Sequence, residues 1–122
     1  MICLDTNIII YIANGTLGED IVGIDPIVCP SIVRIESLGY PSIKSIEEQR
    51  IRELLATLTV IPLTDTIIEI AIKLRQGKKM SLGDAIVAAT ALESGSQLWT
   101  ANTKDFEHID GFDVFNPLIK SR

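Results

Sequence analysis

The stretch ICLDTNIIIYI, residues 2–12, places one acid between two apolar runs. The run before the acid is typical of a strand buried on both faces, and the run after it favours a short helix. Asp5 therefore lies at the expected end of a core strand, with Thr6 and Asn7 directly after it. These side chains would suit the cap of a helix. Capping alone does not explain why a carboxylate stands at the tip of a core strand.

The rest of the chain repeats this alternation of strand and helix patterns. Short β-type runs are predicted at 1–4, 27–29, 59–63, 97–99 and 112–115. Helices are predicted at 7–13, 31–39, 43–57, 65–77 and 81–94. The fourth helix carries a stripe of apolar residues, formed by Ile67, Ile68, Ala71, Ile72 and Leu74. Strands that alternate with helices predict a parallel α/β sheet covered by helices on both faces.

The composition is that of a folded domain with an aliphatic core. Of the 122 residues, 47% are hydrophobic and only 5% are aromatic, and the formal net charge is −5. Nucleic-acid-binding domains are usually basic, so this charge argues against that class. It does not exclude the class, because a metal bound at clustered carboxylates inverts the local field.

The cysteines and the N-terminus indicate a cytoplasmic location. Cys3 and Cys29 match no zinc or disulfide spacing, and their apolar surroundings predict reduced, buried thiols. The N-terminus lacks the basic region of a signal peptide. No apolar run approaches the roughly 18 residues of a membrane span. We therefore expect a cytoplasmic protein that does not associate with a membrane.

Four acids fall where the carboxyl ends of the predicted strands would meet. Asp5 follows the first strand, and Glu36 lies on the helix after the second. Asp84 opens the helix before the fourth strand, and Asp105 follows that strand. Functional groups gather at this edge of open parallel sheets. Clustered carboxylates raise one another's pKa unless a cation neutralises them, and an all-oxygen set suits Mg²⁺ or Mn²⁺. Such a metal fits phosphodiester hydrolysis.

Each acid also has an ordinary structural explanation. Asp5 could cap a helix, and the segment from Ser81 to Asp84 resembles a capping box. Glu36 could be a solvent-facing helix residue, and Asp105 could be an acid favoured by the dipole of a first helical turn. The joint occurrence of all four at one sheet edge favours a site.

The segments around these acids resemble those of PIN-domain ribonucleases. LDTNIIIYI, PSIVRIESLGY, SLGDAIVAATAL and TANTKDF occur in the order and at the spacings of that family. The likeness is greatest to its toxin branch, the VapC-like members of type II toxin–antitoxin pairs. The resemblance spans nearly the whole chain and implies a single PIN-like domain over 1–122. The implied fold is a three-layer α/β/α sandwich with a central, mainly parallel, roughly five-stranded sheet.

The resemblance also implies a Mg²⁺- or Mn²⁺-dependent endoribonuclease. Asp5, Asp84 and Asp105 match the main metal ligands of that family, direct or through water. Glu36 matches an acid that holds a water at the metal, or a second ion, and that helps to deprotonate the attacking water. These four residues are therefore the candidate catalytic set.

Neighbouring polar residues match family positions that orient the carboxylates by hydrogen bonds. They are Thr6, Asn7, Thr100 and Asn102. Asn102 stands where some relatives carry another acid, which weakens the case for a second tightly bound metal. Ala101 stands where relatives often carry arginine. That difference leaves open how RNA phosphate is held on this side of the site.

The expected partners are an RNA substrate, a cognate antitoxin protein and a second copy of the chain. Arg75, Lys78 and Lys79 form a basic cluster just before Asp84 and could contact RNA phosphates. A solvated helix end, where cations are favoured, explains the same cluster. The resemblance implies an antitoxin that covers the site and a homodimer, and the helices between 31 and 57 could supply both surfaces.

Two other classes of function compete with this interpretation. An aspartyl phosphotransfer domain of the receiver or phosphatase type also has an acid after its first strand. A phosphatase of this type needs a second acid where Asn7 stands. A receiver needs an acid pair beside strand one, which is missing here, although Asp65 is roughly placed as its nucleophile. The other class is a non-catalytic binding module on the same fold, against which the intact set of four acids argues.

Overall fold

The computed structural model describes residues 1–18, 20 and 25–119. These residues include five strands: β1 Ile2–Leu4, β2 Ile27–Pro30, β3 Thr59–Ile61, β4 Gln97–Trp99 and β5 Val114–Phe115. They also include five α-helices: α1 Thr6–Ala13, α2 Ile32–Leu38, α3 Ser45–Ala56, α4 Asp65–Gly77 and α5 Leu82–Glu93. Every predicted helix and strand is confirmed, with small differences at the ends.

The five strands form one parallel sheet in the order β3-β2-β1-β4-β5. In the register, Cys3 stands between Val28 of β2 and Leu98 of β4. The order runs outward from β1 in both directions, so right-handed crossovers place the two groups of helices on opposite faces. This confirms the predicted α/β/α sandwich. The point of reversal at β1 is where such sheets open a crevice at their carboxyl ends.

Two strands are shorter by two residues than the sequence predicts, for local reasons. β3 ends at Ile61 rather than at residue 63 because Pro62 has no N–H to donate to a ladder. β5 begins at Val114 rather than at residue 112. The N–H of Phe112 bonds instead to the carbonyl of Ile109, which keeps Phe112 in a turn.

The middle of helix α5 is buried on all sides because most of its residues are small. Residues 85–91 are all buried. Ala88 and Ala91 belong to the core cluster that contains β1, whereas Ala85 and Ala89 pack against Ile67 of α4. Because these alanine side chains are small, α5 lies close both to the sheet and to α4. Its N-terminus, which carries Asp84, is thereby held at the sheet edge.

Only half of the apolar stripe on α4 is buried. Ile67 is 1% exposed, whereas Ile68 and Ile72 are 37% and 43% exposed. The exposed half faces a groove of about 530 Å³ between α4 and α5. We call this the α4–α5 groove; its lining is Leu63, Ile68, Ala71, Ile72, Arg75, Gln76, Leu82 and Ile86. The periodicity correctly predicted the helix and did not separate core contacts from surface.

The predicted buried thiols are confirmed. Cys3 and Cys29 are both fully buried and free. Burial raises the pKa of the Cys29 thiol to about 11, and it raises the pKa of the Cys3 thiol further. Within the described part of the chain, no helix is long and apolar enough to span a membrane.

Replacing Ala88 with leucine tests how closely α5 must approach the sheet. We expect Ala88→Leu to lower the free energy of unfolding by about 1–3 kcal/mol, because extra methylene groups in a packed core force neighbours apart. Urea unfolding measures this loss. Glu93→Gln, at an exposed position on the same helix, should unfold like the wild type. Equal stability of Ala88→Leu and wild type would contradict the packing described above.

Candidate active site

Asp5 is a buried carboxylate whose two oxygens both accept hydrogen bonds. Its side chain is only 6% exposed at the end of β1. Oδ1 accepts the backbone N–H of Thr6 at 2.8 Å, which makes Asp5 the N-cap of α1. Oδ2 accepts the hydroxyl of Thr100 at 2.7 Å and the side-chain amide of Asn7 at 3.4 Å. Capping and a role in a site are therefore compatible at this residue.

Two further hydrogen bonds support this contact, one within the segment that follows β4 and one between the segments that follow β1 and β4. The Thr100 hydroxyl, which donates to Asp5, accepts the N–H of Asn102 at 3.1 Å, so its direction is set from both sides. Asn7 Oδ1 accepts the N–H of Ala101 at 3.0 Å. Asn102 contributes through its backbone, and its side-chain amide bonds to none of the four acids within the described residues. The network holds Asp5 in one orientation.

Glu36 comes to the site from α2 and is exposed. The Thr6 hydroxyl donates to Glu36 Oε1 at 2.8 Å. Thr6 therefore contacts two of the four acids, Asp5 through its backbone and Glu36 through its side chain. This contact ties the first turn of α1 to α2.

Asp84 and Asp105 enter the site from the start of α5 and from the 3₁₀ turn that follows β4. Ser81 is the N-cap of α5, and its hydroxyl accepts the N–H of Asp84 at 3.1 Å, as the predicted capping pattern requires. Asp84 is half-buried. Asp105 is exposed and ends a single 3₁₀ turn, Thr103–Asp105, directly after β4. All four predicted acids thus lie at the carboxyl edge of the sheet.

The charges of the four acids act on one another. Burial raises the pKa of Asp5, and the charge of Glu36 raises it further, while the hydrogen bonds from Thr100, Thr6 and Asn7 lower it. Burial also raises the pKa of Asp84, and the charges of Asp5 and Asp105 add to that rise. The carboxylates therefore form a chain of repelling groups from Glu36 to Asp105.

No cation of the described residues neutralises this chain. No ion pair between described residues involves any of the four acids, and the pair of Arg52 with Glu48 lies within α3. Among the described residues, no group of three or more acidic, histidine or cysteine side chains stands in an arrangement that could hold a metal ion. An anionic, all-oxygen group without a protein cation nevertheless has the donor chemistry that Mg²⁺ and Mn²⁺ prefer.

The predicted basic cluster lies at the approach to Asp84. Arg75 lies in the last turn of α4, and its Nε donates to the carbonyl of Met80 at 3.2 Å. Lys78 and Lys79 are exposed in the turn that leads to Ser81. The cluster is thus at the same end of α5 as the acids.

Fold and site together define an α/β protein with an acidic site at the carboxyl edge of a parallel sheet. Residues 2–112 match the PIN domain family. The chain therefore belongs to the PIN domain family, as its motifs predict.

Solved structures with the same fold come from toxin–antitoxin systems. A chain of a toxin–antitoxin complex from Klebsiella pneumoniae is 33% identical, with a TM-score of 0.80 over 96% of this chain and 98% of that one. VapBC2 from Rickettsia felis, bound to a promoter DNA fragment, contains a chain 24% identical with a TM-score of 0.79, covering 95% and 98% of the two chains. VapBC-1 from nontypeable Haemophilus influenzae contains a chain that is 24% identical, with a TM-score of 0.75 and the same coverage of the two chains. The latter two support the fold alone. The search of curated proteins found no match.

Removing the Thr100 hydroxyl should change the titration of Asp5. We expect Thr100→Val to raise the pKa of Asp5 further, because the lost hydrogen bond favours the charged carboxylate. Carboxyl NMR titration of Asp5 measures the change. Thr100→Ser keeps the hydroxyl and should titrate like the wild type. An unchanged Asp5 pKa in Thr100→Val would show that this hydrogen bond does not stabilise the charge.

Neutralising Asp84 should stabilise the protein in the absence of divalent ions. The folded pKa of Asp84 lies above its unfolded value, so the folded state binds more protons between the two values and wild-type stability falls as pH rises through that window. At pH 7 with chelator, we expect Asp84→Asn to raise Tm by roughly 2–4 °C. The advantage should shrink as pH falls toward about 4, near the unfolded pKa.

Asp110→Asn is the matched control, since Asp110 is exposed and outside the chain of acids. Its Tm should stay near that of the wild type at both pH values. Thermal melts of the three proteins across this pH range measure the effect. A lower Tm for Asp84→Asn at pH 7 would mean that its contacts outweigh the repulsion.

Proposed function

We propose that this chain is a metal-dependent endoribonuclease that hydrolyses RNA phosphodiester bonds, and that it is the toxin of a toxin–antitoxin pair. The observation that carries the proposal is the convergence of Asp5, Glu36, Asp84 and Asp105 at one sheet edge in a member of the PIN domain family. Burial raises the pKa values of Asp5 and Asp84, and repulsion from neighbouring acids raises them further. A bound cation would relieve that repulsion.

Mg²⁺ or Mn²⁺ is the proposed cofactor. Asp5, Asp84 and Asp105 would hold it, directly or through water. Mg²⁺ in enzymes is commonly held by one or two carboxylates together with waters and substrate phosphates. An incomplete protein ligand set is therefore compatible with this ion. When bound, the metal would stabilise charge on the phosphoryl group and lower the pKa of water.

The hydrogen bonds of the site suggest different roles for Asp5 and Glu36. Asp5 accepts three hydrogen bonds, so its carboxylate is oriented before any ligand arrives. Glu36 has Oε1 occupied by the Thr6 hydroxyl. Oε2 would then accept the proton of the attacking water. Thr6, Asn7 and Thr100 orient the carboxylates.

Lys78 and Lys79 are proposed to contact RNA phosphates. They are exposed at the end of α5 that carries Asp84, and they offset locally a net charge of −5. The Nε of Arg75 is committed to the Met80 carbonyl, so Arg75 would contribute through its other nitrogens. Phosphate contacts supply most of the affinity of sequence-independent binding.

The toxin role and its partners rest on the Klebsiella pneumoniae neighbour, a toxin–antitoxin complex at 33% identity. Two apolar surfaces could receive partners. Ile35 on α2 is 72% exposed beside Glu36, and Ile46 on α3 is also exposed. The α4–α5 groove is the other surface. Exposed apolar patches of this kind mark protein interfaces. We assign the surface beside Glu36 to an antitoxin, and we propose a homodimer acting in the cytoplasm.

The competing functions have less support. The match to the PIN domain family argues against a receiver or phosphatase domain. Asp65, the candidate nucleophile of a receiver, starts α4 after the edge strand β3, two strands from β1. A non-catalytic binding module remains the second candidate, because exposed apolar surfaces suit it as well.

Cleavage of RNA by the purified protein tests the proposal. We expect cleavage with Mg²⁺ or Mn²⁺, none with chelator, and a loss of at least roughly a hundredfold in Asp5→Asn, because one carboxylate that positions the metal is neutralised. A pool of mixed RNAs, analysed by gel, measures cleavage. The divalent ion should also raise the Tm of the wild type more than that of Asp5→Asn.

Asp110→Asn again serves as the control and should cleave like the wild type. Equal cleavage by Asp5→Asn and wild type would point to a contaminating nuclease and would sink the assignment. Absence of cleavage in every protein, after removal of any co-purified partner, would favour the binding module.

A further inference from the structure

Glu36 has little support from its own surroundings. Its side chain is exposed, and its one hydrogen bond within the described residues comes from Thr6 to Oε1. A glutamate with three rotatable bonds could leave such a position easily. A second contact is needed to explain why the carboxylate stays beside Asp5 and Asp84.

Gly83 of α5 lies beside the Glu36 carboxylate and leaves it room. A methyl group placed on Gly83 would lie 2.9 Å from Glu36 Oε2, 3.7 Å from Cδ and 3.9 Å from Oε1. The first distance is shorter than a carbon and an oxygen atom tolerate. The Glu36 carboxylate therefore occupies the space that any other residue at position 83 would fill.

No conformational requirement explains glycine at this position. Gly83 lies in the first turn of α5, and it is not among the glycines with positive φ, which are Gly15, Gly95 and Gly111. Glycine is a poor helix former compared with alanine. Close approach of another group to the backbone is the remaining physical reason for it.

We propose that Gly83 is a positioning residue for Glu36. By lacking a side chain it admits the carboxylate to the first turn of α5, one residue before Asp84. Thr6 then holds Oε1 from α1, while Oε2 lies against Gly83 of α5. The acid of α2 thus lies between α1, which Asp5 caps, and α5, which carries Asp84. The importance of Gly83 for cleavage rests on the proposed ribonuclease function.

Gly83→Ala tests this role without threatening the fold. Alanine favours the helix, and the atom it meets is the end of a flexible, exposed side chain that can swing away. We expect a Tm equal to or above that of the wild type, with cleavage reduced roughly ten- to hundredfold in kcat, because small misplacements of catalytic groups cost that much. A crystal structure should show Glu36 displaced from Thr6.

Gly77→Ala is the matched control, because a methyl group on Gly77, the last residue of α4, would meet nothing within 4 Å. It should cleave within twofold of the wild type. In a Glu36→Ala background, Gly83→Ala should cause no further loss, since the side chain it displaces is gone. An equal loss in both backgrounds, or full activity of Gly83→Ala, would overturn the proposal.

A structural measurement separates this proposal from the ribonuclease assignment. If the wild type shows no metal-dependent cleavage, the assignment fails and the crystal structures of wild type and Gly83→Ala decide the positioning role by themselves. Glu36 bonded to Thr6 in both structures would overturn it. Glu36 displaced only in Gly83→Ala would support it.

Discussion

The hydrogen bond from Thr100 to Asp5 joins residues 95 positions apart, and the candidate site depends on it. It forms because β1 and β4 pair in parallel, with Leu4 opposite Trp99, so the next residue of each strand stands beside the other. Asp5 is buried there, and an ionised carboxylate out of water is costly without hydrogen bonds. The bonds offset part of that cost. The pKa of Asp5 nevertheless stays raised, which leaves a carboxylate whose charge a cation would stabilise.

The same edge of the sheet also constrains the packing below it. The charge of Asp5 raises the pKa of Asp84 because α5 lies close to the sheet. The fully buried Ala88 and Ala91 allow that close approach. Gly83 has a similar effect at the surface, because its lack of a side chain leaves space for the Glu36 carboxylate. Small residues thus bring acids from separate elements together. The packing of small residues in the core therefore also determines where the acids of the site lie.

The helices and strands were predictable because their signals are local. Apolar runs, helical periodicity and capping residues such as Ser81 act within a few positions of one another. The differences arose where a neighbour in space decides the outcome. The stripe on α4 holds both the buried Ile67 and the exposed Ile72, and periodicity could not tell which of them faces α5. The end of β3 before Pro62 could have been predicted from the sequence, because proline lacks the backbone N–H that strand pairing needs.

The sequence by itself determined the order of elements, the parallel sheet and the four acids at its carboxyl edge, because each depends on residue type and spacing. Only the tertiary structure decided how the acids are held. It showed that Asp5 is a buried cap bonded to Thr100, that Thr6 bridges to Glu36, and that Gly83 gives Glu36 its space. Those contacts join residues distant in the chain, and their distances follow from side-chain packing, which no spacing in a single sequence encodes.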